Sequence, residues 1–295
     1  MKTESIVIIG GGPAGIAAAL EMRRQGYDPV IFEKSRLGGL LLNANWVENY
    51  PGFPDGIDGE SLASSFLQQA QHKKVRIITQ QVTRLDFDKE AFVVETAEGM
   101  LKADYVIVAS GTKPKTIDDI VASEAARERV YHEVYPIRDA QGKKVVIIGA
   151  GDAAFDYALN LAEKNDVVIL NRNSAIRCAP HLWERASSSE SVSYYQNVKI
   201  ICPCEYRDNR LTVRCDAMCD RVSFAADYLV VAIGRTARLE FVSEELKRQT
   251  ENLERAGKLF FVGDVKNGNF RQTGIAVGEG IMAAMKICRS MKEAR

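Results

Sequence analysis

Two short glycine-rich runs in this sequence have the residue spacing that is best suited to binding a ligand. The first, Gly10-Gly11-Gly12-Pro13-Ala14-Gly15, has the form G-x-G-x-x-G, and the second, 149–154, has the variant G-x-G-x-x-A. In such a turn the first glycine permits a tight bend, the second lets a pyrophosphate approach backbone N–H groups, and the third lets a helix pack closely on a strand. The two turns therefore predict two dinucleotide sites in one chain.

The elements around the first turn suit this role. An apolar stretch, 6–9, precedes it, an alanine-rich stretch follows it, and a second apolar stretch, 29–32, leads into Glu33. Glu33 lies 18 residues after Gly15, where a carboxylate accepts hydrogen bonds from a ribose diol. This order of strand, turn, helix, strand and acid favours a dinucleotide site over the alternative, a glycine-rich structural turn.

The second turn is followed by a cation where the first is followed by an acid. A predicted strand at 145–148 leads into it, a helix at 155–162 and a strand at 167–170 come after it, and Arg172 lies 18 residues after Ala154. A cation at that place suits the 2′-phosphate of NADPH, and Arg177 adds a second positive charge from the following loop. We therefore expect NADPH, with NADH as the alternative. Arg172 could also be an exposed charge at a strand end.

The composition excludes several classes of protein. Lys and Arg together number 39, as do Asp and Glu, so the net charge is zero, and we expect no nucleic-acid partner. No apolar stretch approaches the roughly 18 to 20 residues that span a bilayer, and the first residues do not have the pattern of a secretory signal. We expect no membrane association and a cytoplasmic location. Six cysteines in 295 residues do not indicate the disulfide framework of a small secreted protein.

The order of elements predicts an α/β fold with two Rossmann-like, doubly wound domains, the second inserted in the first. The first domain is expected to contain 1–114 and 240–295, and the inserted domain 115–239, with a short antiparallel meander after its own βαβ unit. Further predicted elements of the first domain are an amphipathic helix at 59–72, strands at 75–78, 82–86, 91–96, 105–109 and 259–265, and a small-residue helix at 273–287.

Several separated segments together resemble a known family. They are the first turn, Gly38-Gly39, the run 47–54, the exit Ala109-Ser110-Gly111-Thr112, the second turn, and 261–264 followed by Arg271-Gln272-Thr273. In this order they resemble the low-molecular-weight thioredoxin reductase-type flavoproteins, which are pyridine nucleotide-disulphide oxidoreductases. The resemblance implies FAD at the first turn, a nicotinamide dinucleotide at the second, and a homodimer. It also places Asp264 at the ribityl chain of the flavin and 271–273 beside the isoalloxazine ring, although an aspartate there could instead cap a helix or a turn.

The turns and the resemblance together give the predicted cofactor contacts, whereas no catalytic side chain and no metal ligand can be assigned. The contacts expected for FAD are Gly10, Gly12, Pro13, Ala14, Gly15, Glu33, Lys34, Gly39, Asn49, Val82, Ala109, Gly111, Gly263, Asp264, Arg271, Gln272 and Thr273. Those expected for the nicotinamide dinucleotide are Gly149, Gly151, Asp152, Ala153, Arg172, Arg177 and Arg235.

The chain departs from this family in one respect that matters for its chemistry. Thioredoxin reductases of this type carry a Cys-x-x-Cys pair shortly before the second turn, and this sequence has His132-Glu133-Val134-Tyr135 there. Without a thiolate beside the flavin, the usual relay to a disulfide has no carrier. The runs 135–139 and 151–159 are similar instead to the thioredoxin reductase-like ferredoxin-NADP reductases. We therefore expect hydride transfer from NADPH to FAD, followed by electron transfer to ferredoxin or flavodoxin, with a quinone or dioxygen as less favoured acceptors.

Four cysteines, Cys202, Cys204, Cys215 and Cys219, surround a predicted turn at 208–209. If the hairpin is symmetrical about that turn, Cys202 faces Cys215 across the strands, close enough for a disulfide or for two metal ligands, although Pro203 restricts the pairing. Their spacing departs from the familiar zinc patterns, so unreactive packing thiols are the favoured interpretation. A disulfide or redox pair and a metal site stay as alternatives.

Two other functions remain open at this point. The first is a disulfide reductase that uses this cysteine cluster or takes electrons from ferredoxin. The second is a flavin-binding sensor without turnover. His132 has no catalytic partner by spacing, and it is interpreted either as a satisfied surface or interface histidine, which is the favoured interpretation, or as a residue near the flavin.

Overall fold

The computed structural model describes residues 5–121, 123–217 and 220–293. The chain forms two compact units. The first contains Met1–Leu42, Val47–Lys113 and Thr236–Arg295, and the second contains Asn43–Trp46 and Pro114–Arg235.

The helices and strands alternate along most of the chain. In chain order they are β1 Ile6–Ile9, α1 Pro13–Arg24, β2 Val30–Glu33, α2 Gly59–His72, β3 Arg76–Thr79, β4 Val82–Phe87, β5 Phe92–Thr96, β6 Gly99–Ala103, β7 Tyr105–Val108, β8 Thr112–Pro114, α3 Glu124–Arg127, β9 Val130–Tyr131, β10 Lys144–Ile148, α4 Asp152–Ala162, β11 Asp166–Leu170, α5 Pro180–Ser187, β12 Val192–Tyr195, β13 Val198–Arg207, β14 Arg210–Ala217, β15 Asp220–Ala226, β16 Tyr228–Val231, β17 Arg235–Ala237, α6 Glu244–Arg255, β18 Leu259–Phe261 and α7 Thr273–Glu293. Short 3₁₀ helices cover Gly39–Asn43, Tyr135–Ile137 and Gly263–Val265.

A five-stranded parallel sheet of order β18-β7-β1-β2-β3 forms the centre of the first unit. Every residue of β1 and of β7 is buried. Strands that are covered on both faces are apolar throughout rather than alternating, which is why these short runs stand out in the sequence. The predicted α/β fold class is confirmed.

Two helices of small residues pack together in this unit. A Cβ atom added at Gly280 of α7 would lie 2.1 Å from the carbonyl oxygen of Ala14 in α1. The helix α7 therefore lies so close to the first turn of α1, directly after the glycine run, that no side chain fits at Gly280. A separate antiparallel sheet of order β4-β5-β6 and the helix α6 complete the unit.

The second unit is also built on a parallel five-stranded sheet, of order β12-β11-β10-β16-β9. The carboxyl ends of its strands lie at one edge, and four of them lead into residues of possible function, which are Gly149-Ala150 after β10, Asn171-Arg172 after β11, Gly234-Arg235 after β16 and His132-Glu133 after β9. An antiparallel sheet of order β13-β14-β15 corresponds to the predicted meander.

The hairpin of β13 and β14 corrects one prediction. Near its turn the register is the symmetrical one, with Glu205 opposite Thr212, but it then shifts, so that Ile200 rather than Cys202 lies opposite Cys215. The shift falls around Pro203, which has no backbone N–H to give to the ladder and so interrupts the pairing. The predicted pairing of Cys202 with Cys215 is therefore wrong. Cys219 lies outside the described residues.

The units differ from the expected division 115–239 in two places. The second unit ends at Arg235, and it includes the distant segment Asn43–Trp46. Hydrogen bonds hold that segment there, among them one from the backbone N–H of Tyr135 to Asn43 Oδ1 at 3.0 Å and one from the backbone N–H of Asn45 to Asp156 Oδ2 at 2.9 Å. Single hydrogen bonds between residues far apart in sequence leave no periodic signal, so the sequence pattern did not indicate this attachment.

Candidate dinucleotide sites

The first glycine turn is tightly packed at two positions and open at the third. Gly10 has φ +112°, and a Cβ atom there would lie 2.2 Å from the carbonyl oxygen of Ala109. A Cβ atom at Gly15 would lie 1.9 Å from the carbonyl oxygen of Gly10. At Gly12, by contrast, no described atom lies within 4 Å of an added Cβ atom. The protein itself therefore requires glycine at 10 and 15, whereas Gly12 borders free space that a ligand could occupy.

That free space faces the start of a helix. Gly12 is the N-cap of α1 and caps it without a side chain, and Pro13 follows as the first helical residue. The first N–H groups of α1 and the positive end of its dipole are thus left for an anion. The arrangement fits the pyrophosphate of a dinucleotide.

Glu33 contacts this turn directly. One carboxylate oxygen accepts the backbone N–H of Gly11 at 2.8 Å, and the other accepts that of Ser35 at 3.0 Å. A carboxylate has about four acceptor positions, so these bonds leave capacity for a ribose diol. The sequence indicated a ribose contact at Glu33, but it did not indicate that the same side chain holds the glycine turn in place.

Other predicted FAD contacts gather around the start of α1. A Cβ atom at Gly39 would lie 3.3 Å from Gly12 Cα, and one at Gly263 would lie 3.0 Å from Ala14 Cβ. The backbone N–H of Gly263 donates to Glu279 Oε2 at 2.6 Å. Glu279, an acid on the otherwise apolar inner side of α7, was missed by the sequence reasoning, and its presence among small and apolar residues was the available signal.

The remaining predicted FAD contacts of the first unit are positioned as follows. Asn49 donates its side-chain N–H to Gln272 Oε1 at 2.9 Å, which brings these two together. Val82 is buried in the core beside β5 and α6. Lys34 is exposed after β2, Gly111 has φ +64° before β8, Asp264 lies in the 3₁₀ helix 263–265, and Arg271 and Thr273 lie just before and at the start of α7.

The second turn repeats the backbone of the first. Gly149 has φ +138°, and a Cβ atom there would lie 2.3 Å from the carbonyl oxygen of Ala232. Gly151 is open within 4 Å and is the N-cap of α4 without a side-chain cap. Asp152 and Ala153 then begin α4 with exposed side chains. The residues fit a second pyrophosphate at this helix start.

The loop after β11 folds against this second turn. The backbone N–H of Arg177 donates to the carbonyl oxygen of Ala150 at 3.0 Å, and Asp152 Oδ1 accepts the backbone N–H of Ala179 at 2.7 Å. Arg172 and Arg177 are both exposed on this loop. Two cations thus lie on a loop that contacts the phosphate-binding turn.

Buried Asn171 gives the loop its shape. Its side-chain N–H donates to the carbonyl oxygen of Ala175 at 3.0 Å and to the Tyr194 hydroxyl at 2.9 Å, and its Oδ1 accepts the backbone N–H of Asn173 at 3.0 Å. This role of Asn171 was not predicted from the sequence. Asparagine bonding to its own backbone two residues on is a common loop device.

An ion pair occupies the other end of the same edge. Arg235 Nη2 lies 2.9 Å from Glu133 Oε1, and only 14% of the Arg235 side chain is exposed. Next to it, Nδ1 of His132 is buried and has no hydrogen-bond partner among the residues that the structure describes. The predicted nucleotide contact at Arg235 therefore lies beside His132 and Glu133.

The described cysteines are free thiols. Burial raises the pKa of Cys204 to about 12 and that of Cys215 to about 11, so both are protonated at neutral pH. In the described ranges no three His, Cys, Asp or Glu side chains are grouped as a metal site would require. This arrangement fits packing thiols better than a redox pair.

Asp156 of α4 is a carboxylic acid whose pKa is also raised. Burial raises its pKa to about 6, although it accepts backbone N–H groups of Asn45 and Trp46, which act in the opposite direction. The carboxylate thus lies on α4 four residues after Asp152 and holds the segment Asn43–Trp46.

Two Rossmann-like units with a glycine turn at the start of a helix in each define the general class, a dinucleotide-dependent oxidoreductase. A family model described as pyridine nucleotide-disulphide oxidoreductase matches residues 4–280. The chain belongs to this family, which confirms the predicted thioredoxin reductase-type resemblance.

A curated relative agrees with this assignment, and solved structures have a similar fold. The chain is 28% identical over 298 residues to a thioredoxin reductase of Streptomyces clavuligerus, a match that covers 95% of this chain and 92% of the relative. Its fold is similar to that of Lactococcus lactis thioredoxin reductase in the FR conformation, with a TM-score of 0.85, 23% identity and coverage of 98% and 99% of the two chains. It is also similar to the bacillithiol disulfide reductase Bdr of Bacillus cereus, with a TM-score of 0.74, 20% identity and full coverage of both chains.

None of the helices that the structure describes between residues 5 and 293 combines the length and the apolar character of a membrane-spanning segment.

Proposed function

We propose that this protein is an FAD-dependent NADPH oxidoreductase that passes electrons to a ferredoxin- or flavodoxin-like carrier rather than through a dithiol of its own. One observation carries the proposal. The six cysteines stand at 178, 202, 204, 215, 219 and 288, so the sequence contains two dinucleotide turns but no Cys-x-x-Cys. The disulfide relay that the resemblance implies uses such a pair, and this sequence lacks it.

The first unit has the residues to hold FAD. The open face at Gly12 and the uncapped start of α1 would receive the pyrophosphate, and Glu33 would accept the ribose hydroxyls. When bound, the flavin supplies the ability to accept a hydride and to release its two electrons one at a time. The protein side chains position it and do not react.

The second unit has the residues to hold NADPH. Gly151 and the start of α4 would bind the pyrophosphate, and Arg172 and Arg177 would contact the 2′-phosphate from the loop that packs against this turn. Arginine suits a phosphate dianion because its planar donors match the phosphate oxygens. NADH lacks that phosphate and gains nothing from these cations.

The described thiols support an acceptor that is not a dithiol. A thiolate is the form that attacks a disulfide, and the raised pKa of Cys204 and of Cys215 keeps both sulfurs protonated. A one-electron carrier needs no such thiolate on the reductase. Ferredoxin and flavodoxin are therefore the first acceptors to test.

The test is an anaerobic titration of the purified yellow protein, followed at the oxidised flavin band. We expect rapid bleaching by NADPH, slower bleaching by NADH, and return of the band when oxidised ferredoxin or flavodoxin is added. The variant Gly151→Ala is the matched control, since it should keep FAD and lose bleaching by NADPH. Bound FAD that neither nucleotide reduces would contradict the proposal and favour a flavin-binding sensor or a ferredoxin-fed enzyme.

A disulfide reductase is the second candidate, because the relative from Streptomyces clavuligerus is named a thioredoxin reductase. This candidate predicts that free thiols increase when NADPH reduces the native protein, and that oxidised thioredoxin or a small disulfide restores the flavin band. Thiol titration before and after reduction separates the two candidates. The double variant Cys202→Ser and Cys204→Ser should leave the flavin chemistry unchanged under the first candidate and abolish turnover under the second.

We also propose a cytoplasmic homodimer. The helix α7 exposes Ile275, Ile281, Met282 and Met285, whose spacing of three, four and seven residues places them on one side. Such a side is suited to a second copy of the chain. Light scattering coupled to size exclusion should give twice the monomer mass, and Met285→Glu should lower it.

A further inference from the structure

We propose that His132 is a positioning residue that binds the nicotinamide half of the pyridine dinucleotide through Nδ1. The inference rests on the proposed function, because it requires that the nucleotide lie on the second unit. It adds a residue that the glycine turns and the arginines do not account for.

The position of His132 in the sheet is the first argument. It follows β9 directly, and β9 pairs in parallel with β16, which in turn pairs with β10. His132 therefore lies at the carboxyl edge of the sheet, the edge at which open α/β sheets bind their ligands. It is two strands away from the glycine turn, a distance of about 10 Å at the usual strand spacing.

The direction of the dinucleotide is the second argument. The pyrophosphate site lies at the end of β10, and Arg172 and Arg177 lie on the loop after β11, on one side of it. If these cations receive the adenosine 2′-phosphate, the adenosine half lies over β11. The nicotinamide half must then extend the other way, across β16 and toward β9, where His132 lies.

The unmet polar atom is the third argument. Nδ1 of His132 is buried, and no described residue within 5–121, 123–217 or 220–293 forms a hydrogen bond with it. Buried polar atoms in native proteins are almost always hydrogen-bonded, so an exception calls for a partner outside the protein. A carboxamide can both donate and accept, and it therefore suits an imidazole nitrogen in either tautomer.

The neighbours of His132 hold it in place. Before it, the ring of Tyr131 meets that of Tyr228 edge-on, with centroids 5.6 Å apart. After it, Glu133 pairs with Arg235, and Val134 is buried. Both flanking contacts reach β16 or the residues that follow it, so the imidazole is presented from a fixed backbone. Such preorganisation lowers the cost of orienting a ligand.

Replacement of His132 by three residues distinguishes the two ring nitrogens. Asparagine keeps a polar atom near the place of Nδ1, glutamine keeps one near the place of Nε2, and alanine keeps neither. We expect His132→Ala and His132→Gln to weaken NADP⁺ binding to the FAD-loaded protein about 10-fold. His132→Asn should stay within about 2-fold of the wild type. His72→Ala, on an exposed helix end of the first unit, is the matched control and should change nothing.

The measurement is isothermal titration calorimetry with NADP⁺ and, separately, with 2′-phospho-ADP-ribose, which lacks the nicotinamide. The affinity for the second probe should not change in any variant. Wild-type affinity for NADP⁺ in His132→Ala would overturn the inference while the proposed function stands. An equal loss for both probes would also overturn it, because it would indicate a structural effect on the whole edge. A wild-type protein that binds neither probe would overturn the proposed function and this inference together.

Discussion

In the first unit the strand after the glycine turn ends in Glu33, whose buried carboxylate accepts the N–H groups of Gly11 and Ser35. In the second unit the corresponding strand is followed by buried Asn171 and by exposed Arg172 on a loop. The glycine turn of the first unit is thus hydrogen-bonded to a buried acid, whereas that of the second unit is bordered by cations exposed to solvent.

The two turns also differ at the last position of the glycine pattern, which is Gly15 in the first and Ala154 in the second. A Cβ atom at Gly15 would lie 1.9 Å from a carbonyl oxygen, whereas Ala154 already has a Cβ atom, 3.5 Å from one added at Gly149. At this position the first turn has no room for a Cβ atom, whereas the second turn already contains one. From the backbone pattern we expect each turn to bind a dinucleotide, and from the side chains after the second strand we expect the choice between FAD and NADPH.

Breaking the packing of the first turn should have the largest effect. We expect Gly15→Ala to destabilise the protein by about 3 kcal/mol or more and to abolish FAD binding, since backbone atoms must move to admit the methyl group. The reciprocal change Ala154→Gly should cost only about 1 kcal/mol through helix propensity. Urea unfolding and the ratio of flavin to protein absorbance measure both effects. Equal effects of the two changes would show that the turns do not differ in packing.

The open positions separate the two ligands. At Gly12 and Gly151 the backbone is extended, with φ near −79° and −101°, and no described atom lies near an added Cβ atom. Gly12→Ala should fold normally and lose about 10- to 100-fold in FAD affinity, because the methyl group displaces the pyrophosphate from charge-assisted N–H donors. Gly151→Ala should lose NADP⁺ affinity to a similar extent and keep FAD. Loss of both ligands in either variant would contradict the assignment of one ligand to each turn.

An acid on α4 sharpens the comparison of the two helices. Asp156 takes the place that apolar Ala17 takes in α1, and burial raises its pKa to about 6 from 3.8. The folded protein thus binds this proton more tightly than the unfolded chain does. The stability due to this group is fully present below pH 4 and is lost as the pH rises through about 6.

We therefore expect Asp156→Asn to raise the stability at pH 7 by about 1 to 2 kcal/mol, a value reduced for partial exposure of the side chain. The difference between variant and wild type should vanish near pH 4. Asp152→Asn, an exposed acid on the same helix, is the control. Urea unfolding at pH 4, 5, 6 and 7 measures the effect. A gain that does not vary with pH would rule out titration of Asp156 as its cause.

The smallest expected effect concerns nucleotide choice. Arg172→Gln should raise the KM for NADPH about 10-fold and leave the KM for NADH unchanged, since it removes one charge-assisted contact with the 2′-phosphate. Arg177→Gln should act in the same way, and the double variant should prefer neither nucleotide. Steady-state reduction of an artificial acceptor such as ferricyanide measures both constants. An equal rise for NADH would indicate that Arg172 does not contact the 2′-phosphate.

Features that depend on local spacing could be predicted from the sequence. The helix Gly59–His72 was predicted with its observed bounds, because Asp58 caps it and the apolar residues follow the helical period. The two turns and their strands were predicted equally well, since all the glycine positions of each pattern lie within six consecutive residues. The helix α6 was not predicted, because only Leu246 and Leu253 of its twelve residues are buried and the apolar pattern is weak.

Features that depend on single distant contacts could not be predicted. Glu279 meets Gly263 across 16 residues, and Asn45 meets Asp156 across 111. The register shift was not predicted, although Pro203 was expected to restrict the pairing, because a symmetrical hairpin is the simplest pairing and the missing N–H of one proline changes it locally. The spacing of apolar residues predicts individual helices and strands, whereas these contacts connect one element to another and leave no such spacing.

The interrupted order of the first unit has a consequence for folding during synthesis. Its central sheet needs β18 and its helix α1 needs α7, both of which lie in the final forty residues of the chain. The second unit has all its segments once residue 235 has been made, including Asn43–Trp46, which the ribosome releases early. We therefore expect the second unit to fold first during synthesis, with the apolar surface of α1 still exposed to solvent. A pause in translation near residue 240 would prolong that exposure.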